Sequence, residues 1–163
     1  MTATVDAITA VRNHHAELEA AVRARVEHVL ADARSGRPVE ASVASLSALV
    51  AAEVVPHARA EEEVLYAAAN PRLYPLVAGM ILEHETLLAL SAELSTVGSA
   101  TDAAGVARAF REIFVGHVRR ENELLLPALA ADPTLALDEL LPVMHDRFTF
   151  HHDIAVGHPS ATG

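Results

Sequence analysis

Hydrophobic residues recur every three or four positions along four long segments of the chain. Residues typical of helix ends and loops separate these segments at 35–38, 70–71, 98–99 and 132–133. The pattern predicts four helices over roughly 5–34, 39–70, 74–97 and 102–131, and a shorter fifth helix near 134–150. Short connections favour antiparallel neighbours, so we expect an all-α, up-down-up-down four-helix bundle with a short C-terminal fifth helix.

One histidine interrupts the apolar stripe of each long helix: His15, His57, His84 and His117. A helix rises about 1.5 Å per residue, and counting from the helix midpoints places these four histidines within roughly 6 Å of one another in depth. We therefore expect four imidazoles at one level of the bundle core. In the first helix the apolar register favours His15, and His14 is the alternative.

The second and fourth helices carry the same motif, sixty residues apart. The copies at 57–65 and 117–125 share a His, an Arg, two Glu and a Leu. The H-x-x-x-E spacing places an imidazole and a carboxylate one turn apart on the same helix face. Burying Glu61 and Glu121 without compensation would cost several kcal/mol each, so the motif predicts a bound cation, and two ions would satisfy both carboxylates.

Composition narrows the chemistry of this site. The 163 residues include ten histidines and no cysteine, which excludes thiolate metal sites and favours nitrogen and oxygen ligands. A net charge of −10 argues against nucleic acid and anionic membrane as partners, and no uninterrupted apolar stretch is long enough for a membrane span. We expect one cytoplasmic domain over 1–156, followed by a flexible tail at 157–163.

This ligand pattern resembles the hemerythrin-like HHE cation-binding domains over roughly residues 8–130. The resemblance implies two iron ions, usually joined by an oxo or hydroxo bridge. It also implies that Glu61 and Glu121 bridge the irons. The implied histidine ligands are His15, His57, His84 and His117. Manganese and zinc are alternative metals, because the same ligand types suit them.

The chain departs from the oxygen-carrying hemerythrins at Leu88, where those proteins have a fifth histidine. Its four-His, two-Glu set is more similar to the di-iron domain of bacterial proteins that repair damaged iron centres. That similarity implies that Glu53 and Glu83 line a route to the metals. Glu53 has two further interpretations, as a partner that orients an imidazole and as a partly solvated edge residue.

With two bridging carboxylates, a solvent-derived bridge and two histidines each, both metals would be five-coordinate, which predicts one open coordination position on each. Open positions favour binding of, or redox chemistry with, O₂, hydrogen peroxide or nitric oxide over oxygen transport. Three classes of function at a metal site stay open at this point: reversible binding of oxygen or iron, redox turnover of peroxide or nitric oxide, and iron or redox sensing. A helical interaction module without metal is a fourth alternative. A monomer is favoured.

The remaining polar and aromatic residues have simpler interpretations. We expect Glu62, Glu63 and Glu123 to form a solvated face. Tyr66 and Tyr74 are expected to pack near the end of the second helix, with a phenolate ligand as the alternative, and Pro56 is expected to bend that helix.

Four further histidines lie towards the C-terminus: His145, His151, His152 and His158. The favoured interpretation is a flexible polar end of the chain. A surface site for zinc or nickel is the alternative.

Overall fold

Five helices form the protein in a computed structural model that describes residues 2–157, with side chains described from residue 5 onward. They are α1 (Thr2–Arg34), α2 (Glu40–Tyr66), α3 (Tyr74–Leu94), α4 (100–130) and α5 (Leu137–Ala155). Helix makes up 86% of the structure and the described residues form no strand, which confirms the predicted all-α class.

The helix ends lie near the predicted loops. The connection after α1 contains Gly36, whose φ of 67° is a left-handed conformation that favours glycine at a helix C-terminus. Helix α4 starts after Ser99, whose Oγ accepts a hydrogen bond from the Asp102 backbone N–H at 3.1 Å. Connections this short allow successive long helices to run antiparallel, as an up-down-up-down bundle requires.

Helix α1 packs against α2 and α4, and α3 packs mainly against α4. The bundle interior contains two apolar clusters. One cluster includes Val22, Leu46 and Phe110, and the other includes Leu65 and Leu125. Buried polar side chains of all four long helices lie in the same interior. This arrangement confirms the predicted bundle with a C-terminal helix.

Helix α5 is longer than expected. It spans 19 residues and packs across α2 and α1, whereas the sequence predicts a shorter helix ending near residue 150. The expectation of a flexible end is wrong for His151 and His152, because both belong to α5 and contact α2. His151 Nε2 lies 2.9 Å from Glu63 Oε1. Apart from Gly157, the predicted tail at 157–163, with His158, lies outside the described residues.

Three π-helical turns interrupt the α-helical geometry: Val50–Val54 and Glu61–Tyr66 in α2, and Glu121–Leu125 in α4. The first of these turns lies just before Pro56 and includes a hydrogen bond from the Val55 N–H to the Val50 carbonyl. The other two begin at the glutamates of the repeated motif. Turns of this kind occur frequently at functional sites.

A π-helical turn holds more residues than an α-helical turn, so it changes which residues face the core. The apolar stripe predicts that Leu124 is buried. Instead Leu124 is 53% exposed and Leu125 is fully buried. Helix α3 also departs from the predicted register, although Tyr74–Leu94 is α-helical throughout: the stripe predicts that Leu88 is buried, but Leu88 is 49% exposed and Leu87 is buried. Leu88, at the position of the fifth histidine, therefore does not face the bundle interior.

This difference in α3 predicts unequal effects of two neighbouring substitutions. Leu87→Ala is expected to lower the free energy of unfolding by about 2–5 kcal/mol, because it leaves a cavity in the core. Leu88→Ala should change it by less than about 0.5 kcal/mol, as is usual for a surface position. Urea denaturation of both variants measures the difference. Equal destabilisation by the two substitutions would contradict the observed register.

Two helical stretches, Glu40–Tyr66 and Pro71–Leu94, are long and apolar enough to cross a membrane by length and composition alone. Both also supply buried residues to the bundle, including His57, Glu61 and His84. The bundle buries 33% of the first apolar stretch and 22% of the second, so both are only partly buried in the core.

Candidate metal centre

Six polar side chains from the four long helices meet in the bundle core. They are the six residues that the sequence singles out as ligands: His15, His57, Glu61, His84, His117 and Glu121. Each is at most 7% exposed, and both glutamates are fully buried. The repeated motif places one histidine and one glutamate on adjacent turns of α2 and α4, while α1 and α3 supply one histidine each.

The first group of converging ligand atoms comprises His15, His57, Glu61 and Glu121. The Nε2 atoms of His15 and His57 lie 3.0 Å apart. Glu61 Oε1 lies 2.6 Å from His57 Nε2 and 3.3 Å from His15 Nε2. Glu121 Oε2 completes the group at 3.5 Å from His15 Nε2. All four atoms lie within 4.8 Å of one another, so one ion can contact all of them.

The second group comprises Glu61, His84 and His117. The Nε2 atoms of the two histidines are again 3.0 Å apart, and Glu61 Oε2 lies 3.5 Å from His84 Nε2. Glu61 is thus shared, with one carboxylate oxygen near each pair of histidines. Glu121 Oε2 also lies between the pairs, since it is 3.9 Å from His117 Nε2. Carboxylates in these positions can bridge two ions.

Three of the four imidazoles have an acceptor at the nitrogen that faces away from the cluster. His15 Nδ1–H donates to Asn122 Oδ1 at 2.9 Å. His84 Nδ1–H donates to Glu62 Oε1 at 2.6 Å, and His117 Nδ1–H donates to Glu83 Oε2 at 3.1 Å. A proton on Nδ1 leaves the Nε2 lone pair of a neutral imidazole directed into the cluster.

Two of these hydrogen-bond acceptors were not assigned this role from the sequence. Glu62, expected on a solvated face, accepts the hydrogen bond from His84 instead. Asn122, which the sequence analysis did not select, occupies the equivalent position in the second copy of the motif. The residue after each motif glutamate thus orients a histidine of another helix, a role that alignment of the two copies could have suggested. Glu83 contacts both His117 and Arg120, and its predicted place on a route to the metals stays a prediction.

Whether the cluster fits a cation depends on the chemistry of its converging atoms. Almost all of them are acceptors, namely carboxylate oxygens and imidazole nitrogens. Glu61 Oε2 and Glu121 Oε2 are buried, and among the described residues neither has a hydrogen-bond partner. Buried carboxylate oxygens without a partner are costly unless a cation neutralises them. Two nitrogens bound at right angles to one ion, each at about 2.1 Å, would lie about 3.0 Å apart. Both histidine pairs have this spacing. The donor set therefore fits metal ions.

The two glutamates have opposite electrostatic environments. Burial tends to raise the pKa of Glu61, but His57, His15 and His84 outweigh it and hold the pKa well below its ordinary value. Burial and the charge of Glu61 raise the pKa of Glu121 well above its ordinary value. In the absence of metal, Glu61 is therefore ionised while Glu121 resists ionisation. A bound cation would favour the ionised form of both carboxylates.

The histidines also differ among themselves. Burial lowers the pKa of His117 to about 3, so this imidazole is neutral at physiological pH. Burial opposes protonation of His84 as well, but Glu61 and Glu62 outweigh it and raise the pKa of His84 above its ordinary value. Metal binding must therefore displace any proton that His84 carries on Nε2.

The tyrosines have different environments. Tyr66 packs as predicted, because its ring stacks on His84 at a centroid distance of 5.7 Å. Its hydroxyl donates to Glu121 Oε1 at 3.2 Å. Burial and the neighbouring glutamates raise the pKa of Tyr66 well above its ordinary value, so the hydroxyl keeps its proton. The packing role predicted for Tyr74 is wrong, since Tyr74 is exposed at the start of α3.

The remaining candidates lie at the edge of the cluster. His14 is half-buried outside both groups, and its ring contacts those of His57 and Phe148 at 4.9 Å and 5.2 Å. Burial, followed by His57 and His15, lowers its pKa to about 4. Glu53 lies 3.4 Å from His152 Nε2 and is partly exposed, which fits a partly solvated edge residue; its place on an access route stays a prediction.

Two of the three glutamates that were expected on a solvated face are exposed. Glu63 is exposed and pairs with Arg147 and His151 of α5. Glu123 is exposed and pairs with Arg119 on its own helix. The ion pairs of Glu63 and Glu123 involve none of the six cluster residues, so both positions are suitable controls.

Asn122→Ala is expected to weaken metal binding by about 10- to 100-fold, because His15 loses the acceptor that orients its ring. Competition with a chelator of known affinity measures the change. Glu123→Ala, in the same turn but exposed, is the matched control and should bind metal like the unsubstituted protein. Equal affinities of the two variants would show that Asn122 does not position His15.

Comparisons with known proteins bear on the same residues. No curated protein and no solved structure matches the chain. The family model described as hemerythrin HHE cation binding domain matches residues 6–129, a range that contains all six cluster residues and ends before α5. The chain therefore belongs to the hemerythrin HHE cation-binding domain family.

Proposed function

We propose that the protein holds two iron ions in the bundle core and uses them to bind or transform a small molecule, namely O₂, hydrogen peroxide or nitric oxide. The proposed ligands are His15, His57, Glu61, His84, His117 and Glu121. The observation that carries the proposal is the pair of buried carboxylate oxygens that lack a hydrogen-bond partner among the described residues and lie among the Nε2 atoms of four histidines.

The number of ions follows from the division of the cluster into two groups. Each group has two histidines, and Glu61 belongs to both. A single ion near one pair of histidines would leave the other pair without a cation. Two ions sharing Glu61 would give each pair of histidines a metal ion and would leave neither buried carboxylate without a cation. Imidazole and carboxylate ligands suit iron, with manganese and zinc as the alternatives that metal analysis distinguishes.

The protein's own side chains would hold and insulate the ions. Asn122, Glu62 and Glu83 keep three imidazoles oriented. Tyr66 holds its proton against Glu121 Oε1 and leaves Oε2 for metal. The apolar packing around the cluster limits the access of water. When bound, a pair of iron ions would supply redox chemistry and positions for an exogenous ligand, because six side chains do not fill two octahedral coordination spheres.

Metal analysis tests the proposal. The full chain, purified from cells grown with iron, should contain about two irons per chain and show the absorption of an oxo- or hydroxo-bridged ferric pair. Expression with manganese or zinc in place of iron would establish which metal the site prefers. Iron well below one per chain after growth with iron, without the ferric absorption, would overturn the proposal.

Reactivity separates binding from turnover. An absorption change that forms when O₂ is added to the reduced protein, and reverses on deoxygenation, would favour reversible oxygen binding. Steady loss of added peroxide would favour a redox enzyme. The four-His set and the outward position of Leu88 favour reaction over oxygen transport, so we expect irreversible oxidation of the reduced centre by O₂.

We further propose that the protein acts as a cytoplasmic monomer without nucleic-acid or membrane partners. The net charge of −10 and the absence of cysteine support this proposal. Sedimentation of the metal-loaded protein at micromolar concentration would test the monomer, and a dimer mass would contradict it.

A further inference from the structure

A second feature of the molecule lies beside the metal-ligand cluster, between α1 and α5. It is a cavity of about 440 Å³. His57 lines it, so the cavity reaches one of the proposed ligands. Its far wall comes from α5, through Leu141, Met144 and Phe148. Because the family match ends at residue 129, this wall lies outside the part of the chain that defines the family.

The lining of the cavity is mainly apolar. Seven of its ten residues are apolar and the other three are histidines, so no Lys, Arg, Asp or Glu is among the residues that line it. An ammonium group placed there would meet no carboxylate, and a carboxylate would meet no lysine or arginine, which makes removing either group from water unfavourable. The cavity therefore favours an uncharged occupant.

The histidines give the cavity a limited polar character. His145 is exposed on α5, and His14 lies opposite on α1 against Phe148. His14 Nε2 is shielded from solvent and has no hydrogen-bond partner among the described residues. One hydroxyl or carbonyl group on an occupant would be matched by these imidazoles, while the rest of the occupant would contact apolar side chains.

The volume indicates the size of the occupant. A cavity of about 440 Å³ is far larger than a diatomic gas requires and lies in the range of small-molecule sites. A peptide helix, about 10 Å across, would not enter it. The fit is to a small organic molecule with one ring or a short branched chain.

We propose that the cavity between α1 and α5 is a binding site for an uncharged, mostly apolar organic molecule with one polar group. The occupant contacts His57 and lies next to the first group of converging ligand atoms. Helix α5 then determines which molecules reach this side of the cluster. The inference concerns binding alone and holds for whichever metal the cluster takes.

Three probes of similar size and different charge test the site: benzyl alcohol, benzoate and benzylamine. Titration of the full chain as purified, followed by the ring-proton NMR signals of its histidines, gives the affinity for each probe. We expect benzyl alcohol to bind at least tenfold more tightly than either charged probe and to shift signals of His14 and His145. Equal affinities for the three probes would overturn the proposal.

A matched pair of substitutions in α1 tests the location of the binding site. Ala10 lines the cavity and Ala20 does not, and both are exposed. Ala10→Leu should weaken benzyl alcohol binding at least tenfold by occupying the cavity, whereas Ala20→Leu should leave it unchanged. Circular dichroism confirms that both variants fold. If Ala10→Leu binds benzyl alcohol like the unsubstituted protein, the proposed site is wrong.

Metal content measured in the same samples separates this inference from the proposed function. Selective benzyl alcohol binding by protein with little iron would support the cavity and contradict the di-iron centre. Two irons per chain without selective binding would support the centre and overturn the cavity as a ligand site.

Discussion

Glu61→Gln is expected to abolish metal binding at both positions of the centre. Glu61 is the one residue common to the two groups of converging ligand atoms, with Oε1 close to His57 and Oε2 directed towards His84. Glutamine keeps the size of the side chain but removes its charge. Removing one partner of a buried charged set costs about 3–5 kcal/mol, which corresponds to a loss of affinity of more than a hundredfold.

Glu121→Gln should have a smaller and different effect. Glu121 Oε2 lies closer to the first group, at 3.5 Å from His15 Nε2 against 3.9 Å from His117 Nε2, so the variant keeps the second group of Glu61, His84 and His117. We expect this variant to retain about one ion per chain, whereas Glu61→Gln retains well below one. The asymmetry follows from the geometry of the cluster, since the repeated motif by itself makes the two glutamates equivalent.

Metal quantification after dialysis against metal-free buffer measures both variants. Glu63→Gln is the control, because Glu63 lies in the same turn as Glu61 but is exposed and pairs with α5. Equal metal loss in the two motif variants would contradict the shared role of Glu61. Full metal content in Glu61→Gln would contradict the centre itself.

The sequence was sufficient to predict the bundle and to locate the cluster, for a physical reason. Polar residues such as His57 and Glu61 recur at the period of the apolar stripe, so any helix that buries the stripe also buries them. The choice of His15 over His14 follows from the same register, and the structure places His15 in the cluster and His14 at its edge.

The local pattern could not show the effect of the π-helical turns. The turn that begins at Glu121 changes which of the following residues face inward, so Leu125 is buried in place of Leu124. The partners of the outer imidazole nitrogens depend on the local backbone and on contacts between helices. Asn122 was missed and Glu62 misassigned for that reason.

Helix α5 shows a second limit of local reasoning. Its ends depend on contacts with residues far away in the chain, such as the pair of His151 and Glu63. Periodicity within the helix does not contain this information. The cavity beside His57 likewise depends on where α5 packs.

Metal removal is expected to lower the melting temperature by about 8–16 °C. Metal present at about a thousand times its Kd stabilises the folded state by about 4 kcal/mol. Each kcal/mol shifts the melting temperature of a protein of this size by about 2–4 °C. The loss should be largest at neutral and mildly alkaline pH, where the buried carboxylates most need a cation.

The pKa shifts of the buried groups determine whether the metal-free protein becomes more or less stable as the pH rises. Glu121 has a raised pKa, so its contribution to stability is present below the ordinary value of 4.5 and is lost as the pH rises through its folded-state pKa. His84 also has a raised pKa, so its contribution to stability is lost as the pH rises above its ordinary pKa of 6.5. Glu61 has a lowered pKa and acts in the opposite direction, but its contribution is lost only below 4.5.

The metal-free protein should therefore melt at lower temperature as the pH rises above 6.5, while the metal-loaded protein should not, because its ligands must be deprotonated to bind. Thermal scans of both forms across this range measure the widening gap. Metal-free Glu121→Gln, scanned from pH 4.5 upward, should show a shallower decline because the carboxyl group with the raised pKa is gone, whereas the exposed control Glu123→Gln should follow the unsubstituted protein. Identical melting with and without metal would mean that the buried carboxylates are satisfied without a cation, which the two oxygens without a partner argue against.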